Sequence, residues 1–176
     1  MSYPPRFMLI TVANLLFVLG AANQWGLRVN TTASYPAGIY RATGEPWGRW
    51  DLVEACLPPE IAKFAVERGY LKSAGRCDRH PSIIKRVYGM GGDQVDVNTV
   101  VSVNGVAVSG AVIRTHDPMQ RPLVAASGGQ LASDEVWLMS VSSPLSFDSR
   151  YFGAVPEQLV SGALEPVWLF GSTTVE

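Results

Sequence analysis

Residues 7–22, FMLITVANLLFVLGAA, carry no charge and only Thr11 and Asn14 as polar side chains. A run like this must leave water, and that requirement constrains the rest of the chain more than any other feature. About 20 apolar residues span a bilayer and about 17 suffice, so the run sits at the lower limit of a transmembrane helix. It also has the length of a signal-peptide core, and Gly20-Ala21-Ala22 offers the small residues of a cleavage site. A buried core helix is the third reading. Arg6 and the α-amino group precede the run while Arg28 and Arg41 follow it, so flanking positive charge leaves orientation open. The expected organisation is a tail at 1–6, a transmembrane anchor or signal segment at 7–22, and an exported domain at 23–176. A composition of 47% hydrophobic against 16% charged residues fits membrane association. A net charge of −1, with no run of Lys or Arg, gives no reason to expect nucleic acid.

The two cysteines bear on the same question. Cys56 and Cys77 enclose about 20 residues, and a bridge between them would contribute about 3 kcal/mol and persist only in an oxidising compartment. Two free thiols are the alternative for a reducing compartment. A metal is the third, since Cys77-Asp78-Arg79-His80 has ligand-like spacing, but Cys56 and His116 are solitary and no second close pair exists.

Beyond the connector NQWGLRVNTTAS the chain reads as mainly β. Gly38–Arg41, Asp51–Cys56, Ser82–Tyr88, Glu135–Met139 and Val167–Phe170 are short β-prone pieces bounded by turn formers. In 101–108, valines alternate on either side of Asn104-Gly105, the pair best suited to a two-residue type I′ hairpin turn. One helix is expected over 60–68, with Pro59 at its first position, Ile61, Phe64 and Ala65 sharing a face, and Gly69 ending it. A Cys56–Cys77 bridge would staple that helical insert to the sheet.

For chemistry the chain offers little that is ordinary. His80 and His116 are the only histidines, and neither lies in a recognisable catalytic setting. GMGGD, 89–93, matches neither the dinucleotide fingerprint nor the P-loop spacing, so no cofactor is assigned. No metal is assigned either. What remains is Lys85 within a strongly apolar strand. A solvated lysine is less than about 0.1% neutral at pH 7, but burial lowers its pKa by several units and makes it a usable general base. The bland reading is a lysine that snorkels to water. Ser34, in TTASYPAGIY, sits among turn formers and by itself reads as a loop residue.

Together these stretches resemble the type I signal peptidases. SIIKRVYGMGGD (82–93) resembles their lysine box, TASYPAGIY (32–40) their serine box, SFDSRYFG (146–153) their late Ser-x-Asp-Ser-Arg box, and WDLVEA (50–55) the strand between; the four occur in family order. The short chain, Ser-x-Pro-x-Gly-x-Tyr and the cysteine pair flanking the insert are closer to the TraF-type branch, the pilin-maturation peptidases of conjugative transfer. Trp50 stands where a glycine often precedes the aspartate, and Gly91 replaces a common proline.

The resemblance implies a signal-peptidase-like β-ribbon or partly open barrel with a short helical insert and an N-terminal transmembrane helix. It implies Ser34 as nucleophile and Lys85 as its base, with Thr32 helping to bind the oxyanion and Ser146 orienting Lys85. Asp148 and Arg150 would form a structural ion pair. The implied protein is a serine endopeptidase of the bacterial inner membrane, its catalytic domain in the periplasm. Its partners would be a pilin precursor, the lipid bilayer and other conjugative transfer proteins. Its acyl-enzyme would be resolved by water or, giving a cyclic product, by the pilin's own amino terminus. The rivals are a general signal peptidase acting on many exported preproteins and a non-enzymatic subunit of the transfer apparatus.

Overall fold

The structure, a computed structural model, describes residues 10, 25–32, 34–72, 75–77 and 80–170. The tail at 1–6 and, Ile10 apart, the apolar run at 7–22 lie outside the described residues, so the expected transmembrane helix does too. Among the described residues no helix is long and apolar enough to cross a membrane.

The domain is mainly β. In chain order come β1 (Leu27–Asn30), β2 (Gly38–Ala42), β3 (Leu52–Ala55), α1 (Pro59–Glu67), β4 (Ile83–Gly89), β5 (Gln94–Val97), β6 (Val100–Val103) and β7 (Val106–Val112). Then follow β8 (Gly129–Gln130), β9 (Glu135–Met139), α2 (Ser149–Phe152), β10 (Val155–Pro156), a 3-10 turn (Glu157–Leu159) and β11 (Val160–Leu169). Seven strands form an open sheet in the order β1-β2-β11-β3-β4-β9-β10, and four form a second sheet, β7-β6-β5-β8.

Side-chain alternation explains how β4 divides its residues. Ile83, Lys85 and Val87 point to one face, where Ile83 and Val87 join Val53, Leu138, Val136 and Val155 in the main core. Antiparallel pairing sets Lys85 opposite Val53 and Glu54 opposite Ile84, on the other face. The second sheet packs Val95, Val101 and Val103 around Tyr88, Trp137 and Met139. Its β6–β7 hairpin turns at Asn104 and Gly105, whose φ angles of 51° and 77° are the two positive values a type I′ turn needs.

Several elements differ from the sequence reading, and β8, β10 and the second helix, α2, have no counterpart in it at all. The polar connector contains β1, an edge strand whose alternation is masked by Arg28 and Asn30. β5 follows the glycine turn directly. The piece expected at 167–170 is the end of a ten-residue strand, hidden because Gly162 and Pro166 are poor strand residues; register shifts at both places accommodate them. β2 can approach this strand only because residue 38 is glycine: a Cβ there would lie 2.4 Å from the carbonyl oxygen of Trp168.

Helix α1 begins at Pro59 and is followed by Gly69 at φ 71°, as expected, but its buried face is Ala62 and Ala65. Ile61 is only partly buried and Phe64 is exposed. Two alanines let the helix lie close on the core, and Phe64 instead meets Tyr70 and Phe147, with the Arg68 guanidinium 4.9 Å from its ring. Cys56 and Cys77 are disulfide-bonded, which closes one end of the insert and rules out the Cys77–His80 metal reading and the free-thiol reading. At its other end Asp117, buried, accepts bonds from Tyr70 Oη at 2.7 Å and Arg121 Nε at 2.6 Å. Burial alone would raise the Asp117 pKa, but these bonds and the backbone N–H groups of Arg121 and Met119 hold it well below the usual carboxylate range.

Candidate active site

Between β1 and β2 the chain turns tightly, and Asn30 holds the described residues 31, 32 and 34–37 of the turn. Its Oδ1 accepts from the Thr32 N–H at 3.0 Å and from Thr32 Oγ1 at 2.7 Å. Its Nδ2 donates to the carbonyls of Tyr35 at 2.9 Å and Pro36 at 3.1 Å. Tyr40 Oη donates to the same Pro36 carbonyl at 2.6 Å, and Arg86 Nη2 donates to Tyr35 Oη at 3.0 Å. One buried asparagine thus satisfies a turn that would otherwise leave backbone groups unpaired.

This loop brings Ser34 onto β4. Lys85 Nζ donates to Ser34 Oγ at 2.9 Å, and Ser34 Oγ lies 3.1 Å from Thr32 Oγ1. Because the Thr32 proton is directed to Asn30, Thr32 receives rather than gives at that contact. Lys85, Ser34, Thr32 and Asn30 therefore form one directed chain of donors and acceptors. In this arrangement the Thr32 hydroxyl reaches an oxyanion only by releasing Asn30.

Lys85 is 2% exposed. Burial is the main cause that brings its pKa down to about 8; Asp148 opposes this and Arg150 assists it. At pH 7 such a lysine is about one-tenth neutral, several-hundredfold more than a solvated one. A neutral Nζ at this distance from a hydroxyl can accept its proton.

Behind the pair, Asp148 and Arg150 are fully buried and joined by two bonds, Nε to Oδ1 at 2.8 Å and Nη2 to Oδ2 at 2.7 Å. Asp148 also caps α2 and accepts from the Ser140 N–H at 3.0 Å. Arg150 donates to the carbonyls of Ser140 at 3.0 Å and Val112 at 3.1 Å. Ser140 Oγ in turn donates to the Ser34 carbonyl. The ion pair therefore reaches the serine loop through Ser140, a residue that sequence reasoning missed. Its only signal was a polar side chain directly after a buried strand. Asn30 was missed because it looked like part of a polar connector.

Ser146 departs from expectation. Its Oγ is buried but makes no hydrogen bond to any described group, Lys85 included. The turn around it is organised by main chain instead, its N–H donating to Ser143 and its carbonyl accepting from Arg150 at 3.4 Å. Trp50, at the position noted for glycine, has φ 74° and sets its ring edge-on to Tyr88 at 5.2 Å, so a bulky residue bears the left-handed conformation.

Ser34 and Lys85 sit where two clefts meet. One, of about 300 Å³, runs between β1, the insert and the start of β4. The other, of about 120 Å³, has Tyr70, Leu145 and Phe147 in its wall.

The family described as "Signal peptidase, peptidase S26" matches residues 9–169. The "Plasmid transfer protein TraF" of Escherichia coli is 34% identical over 92% of this chain and 94% of its own length. The "Probable conjugal transfer protein TraF" of Sinorhizobium fredii is 37% identical over 85% of this chain and 80% of its own. The "Conjugal transfer protein TraF" of Agrobacterium fabrum is 35% identical over 87% and 90%. A signal peptidase I structure from Enterococcus faecalis superposes with a TM-score of 0.41 at 19% identity, covering 69% of this chain and 98% of that one. A match over most of the chain, with relatives this similar along nearly their whole length, makes it a member of the signal peptidase family, peptidase S26, alongside the TraF conjugal transfer proteins.

Proposed function

We propose that this chain is a serine endopeptidase that processes a conjugative pilin precursor, with Ser34 as nucleophile and Lys85 as general base. The observation that carries the reading is Lys85 Nζ, buried and depressed in pKa, 2.9 Å from Ser34 Oγ. Ser34 Oγ attacks the scissile carbonyl carbon as its proton passes to Lys85. The resulting ammonium gives that proton to the departing amine, leaving an acyl-enzyme. Water resolves it to a linear product, or the pilin's own amino terminus resolves it to a cyclic one; Lys85 deprotonates either. The oxyanion is received by donors of the serine loop, the Thr32 hydroxyl turning from Asn30 to serve it. β1 lies at the sheet edge beside the larger cleft, so an extended substrate has a strand to pair with. The conjugative setting is supported by the names of the relatives. We place the apolar run in the inner membrane and the described domain in the periplasm, a reading supported by the uncharged residues 7–22 and by the Cys56–Cys77 bridge.

The test is incubation of the purified full chain with the pilin precursor of its own transfer system, read by intact mass. A truncated product is expected, lighter by one further water if cyclic. It should be lost in Ser34→Ala, Lys85→Ala and Lys85→Arg, since guanidinium does not give up its proton at working pH. The acid limb of kcat/KM should fall near 8 and stay there in His80→Gln and His116→Gln. An unprocessed pilin, or a limb near 10, would sink the reading.

A further inference from the structure

The larger cleft carries charge that the Ser34–Lys85 chemistry does not use. Glu54 is buried in its wall and held at both oxygens: Arg28 Nε donates to Oε2 at 2.6 Å and Ser82 Oγ donates to Oε1 at 2.7 Å. Arg76 Nε stands 4.0 Å from Oε1, and Lys72 lies exposed on the rim. Leaving Lys85 aside, the described charged residues of the lining are Arg28, Lys72, Arg76 and Glu54. A buried ion pair is a poor way to hold β1 against β3, because desolvating both charges offsets most of their attraction. In the wall of a cleft, however, a pinned guanidinium is a recognition element. Glu54 occupies Arg28 Nε, and Nη1 donates to the Leu27 carbonyl at 3.1 Å. Arg28 Nη2 makes no bond to any described group, so it is left for a ligand.

We propose that this cleft selects a carboxylate-bearing residue, an aspartate or glutamate, close to the processed bond of the polypeptide substrate. Arg28 is the inner anchor and Lys72 and Arg76 are the rim. Glu54 fixes the Arg28 fork and limits the positive charge. Arg28 Nη2 can donate to a carboxylate oxygen but has nothing to offer an ammonium, so a lysine at the same substrate position is disfavoured. The inference rests on reading this cleft as the substrate cleft of a peptidase, and its test is made independent of turnover.

Ser34→Ala full chain in detergent micelles is titrated into fluorophore-labelled blocked hexapeptides of alanine and glycine. These carry Glu, Gln or Lys at each position in turn, and binding is read by anisotropy. At one position or more, Glu should bind about tenfold tighter than Gln and Lys more weakly than Gln, as for one partly exposed charge contact. High salt should shrink the preference. Lys72→Gln with Arg76→Gln should lower the Glu-to-Gln ratio severalfold, and Glu54→Gln should raise it. A ratio near one at every position overturns the proposal, as does a ratio that ignores both sets of substitutions, or no binding by any peptide. Charge-selective binding by Ser34→Ala, together with no processing of pilin by the Ser34-intact chain, would refute the peptidase reading alone. Cleavage without charge preference would refute this one alone.

Discussion

Replacing Lys85 with methionine should stabilise the fold while removing activity. The apolar stem is retained in volume, and what disappears is a buried ammonium. A lysine whose pKa falls from 10.5 to about 8 on folding costs the folded state about 3 kcal/mol, at 1.36 kcal/mol for each pH unit. Losing the bond to Ser34 Oγ returns about 1 kcal/mol of that, so the net gain at pH 7 is about 2 kcal/mol. The pH dependence sets this apart from ordinary repacking. Below pH 8 both folded and unfolded chains hold the proton, and the cost is constant and complete. Between 8 and 10.5 the unfolded chain holds more protons, so the native protein gains stability with rising pH and the advantage of methionine shrinks. From pH 7 to pH 9.5 that advantage should fall by about 2 kcal/mol, to near zero. Paired urea titrations of Ser34-intact protein and Lys85→Met in matched buffers read it directly, as should a melting-temperature difference of about 4–8 °C at neutral pH. A methionine variant that is less stable at pH 7, or whose difference does not change with pH, would refute the burial argument for the base.

Asp148→Ala should cost about 3–5 kcal/mol in denaturant titrations, because it leaves the Arg150 guanidinium fully buried and unpaired; a loss under 1 kcal/mol would contradict that. Asn30→Ala should lower kcat far more than it raises KM while leaving the acid limb near 8, since it loosens the serine loop without touching Lys85; an equal effect on KM would argue against this role. Reduction of Cys56–Cys77 should cost about 3 kcal/mol and should weaken peptide binding, because Leu71, Lys72 and Arg76 of the stapled insert line the larger cleft; unchanged binding on reduction would detach the insert from recognition.

The local elements were legible in the sequence wherever a short-range rule governs them. Alternating valines around Asn104-Gly105 specify a hairpin, and Pro59 and Gly69 delimit a helix; a lysine in an apolar strand, by contrast, reads equally as one that snorkels to water, and only the fold shows Lys85 buried. The boxes around Ser34, Lys85 and Asp148 are equally visible, because each is contiguous. What the residues alone left open was everything that depends on which strands become neighbours. Only the pairing of β3 with β4 and the loop held by Asn30 bring Ser34 within 2.9 Å of a lysine fifty-one residues away. Only packing makes Ser140 the link between the Asp148–Arg150 pair and the serine carbonyl, and leaves the Ser146 hydroxyl without the bond to Lys85 expected of it. The same holds for the charge of the cleft: Arg28, Glu54 and Arg76 lie far apart in the chain, and their common wall exists because the sheet carries β1, β3 and the insert to one place. Propensity, turn chemistry and contiguous motifs act over a few residues and can be read from a string. Proton transfer and charge recognition act through space over a few ångströms, and that distance is set only when the chain has folded.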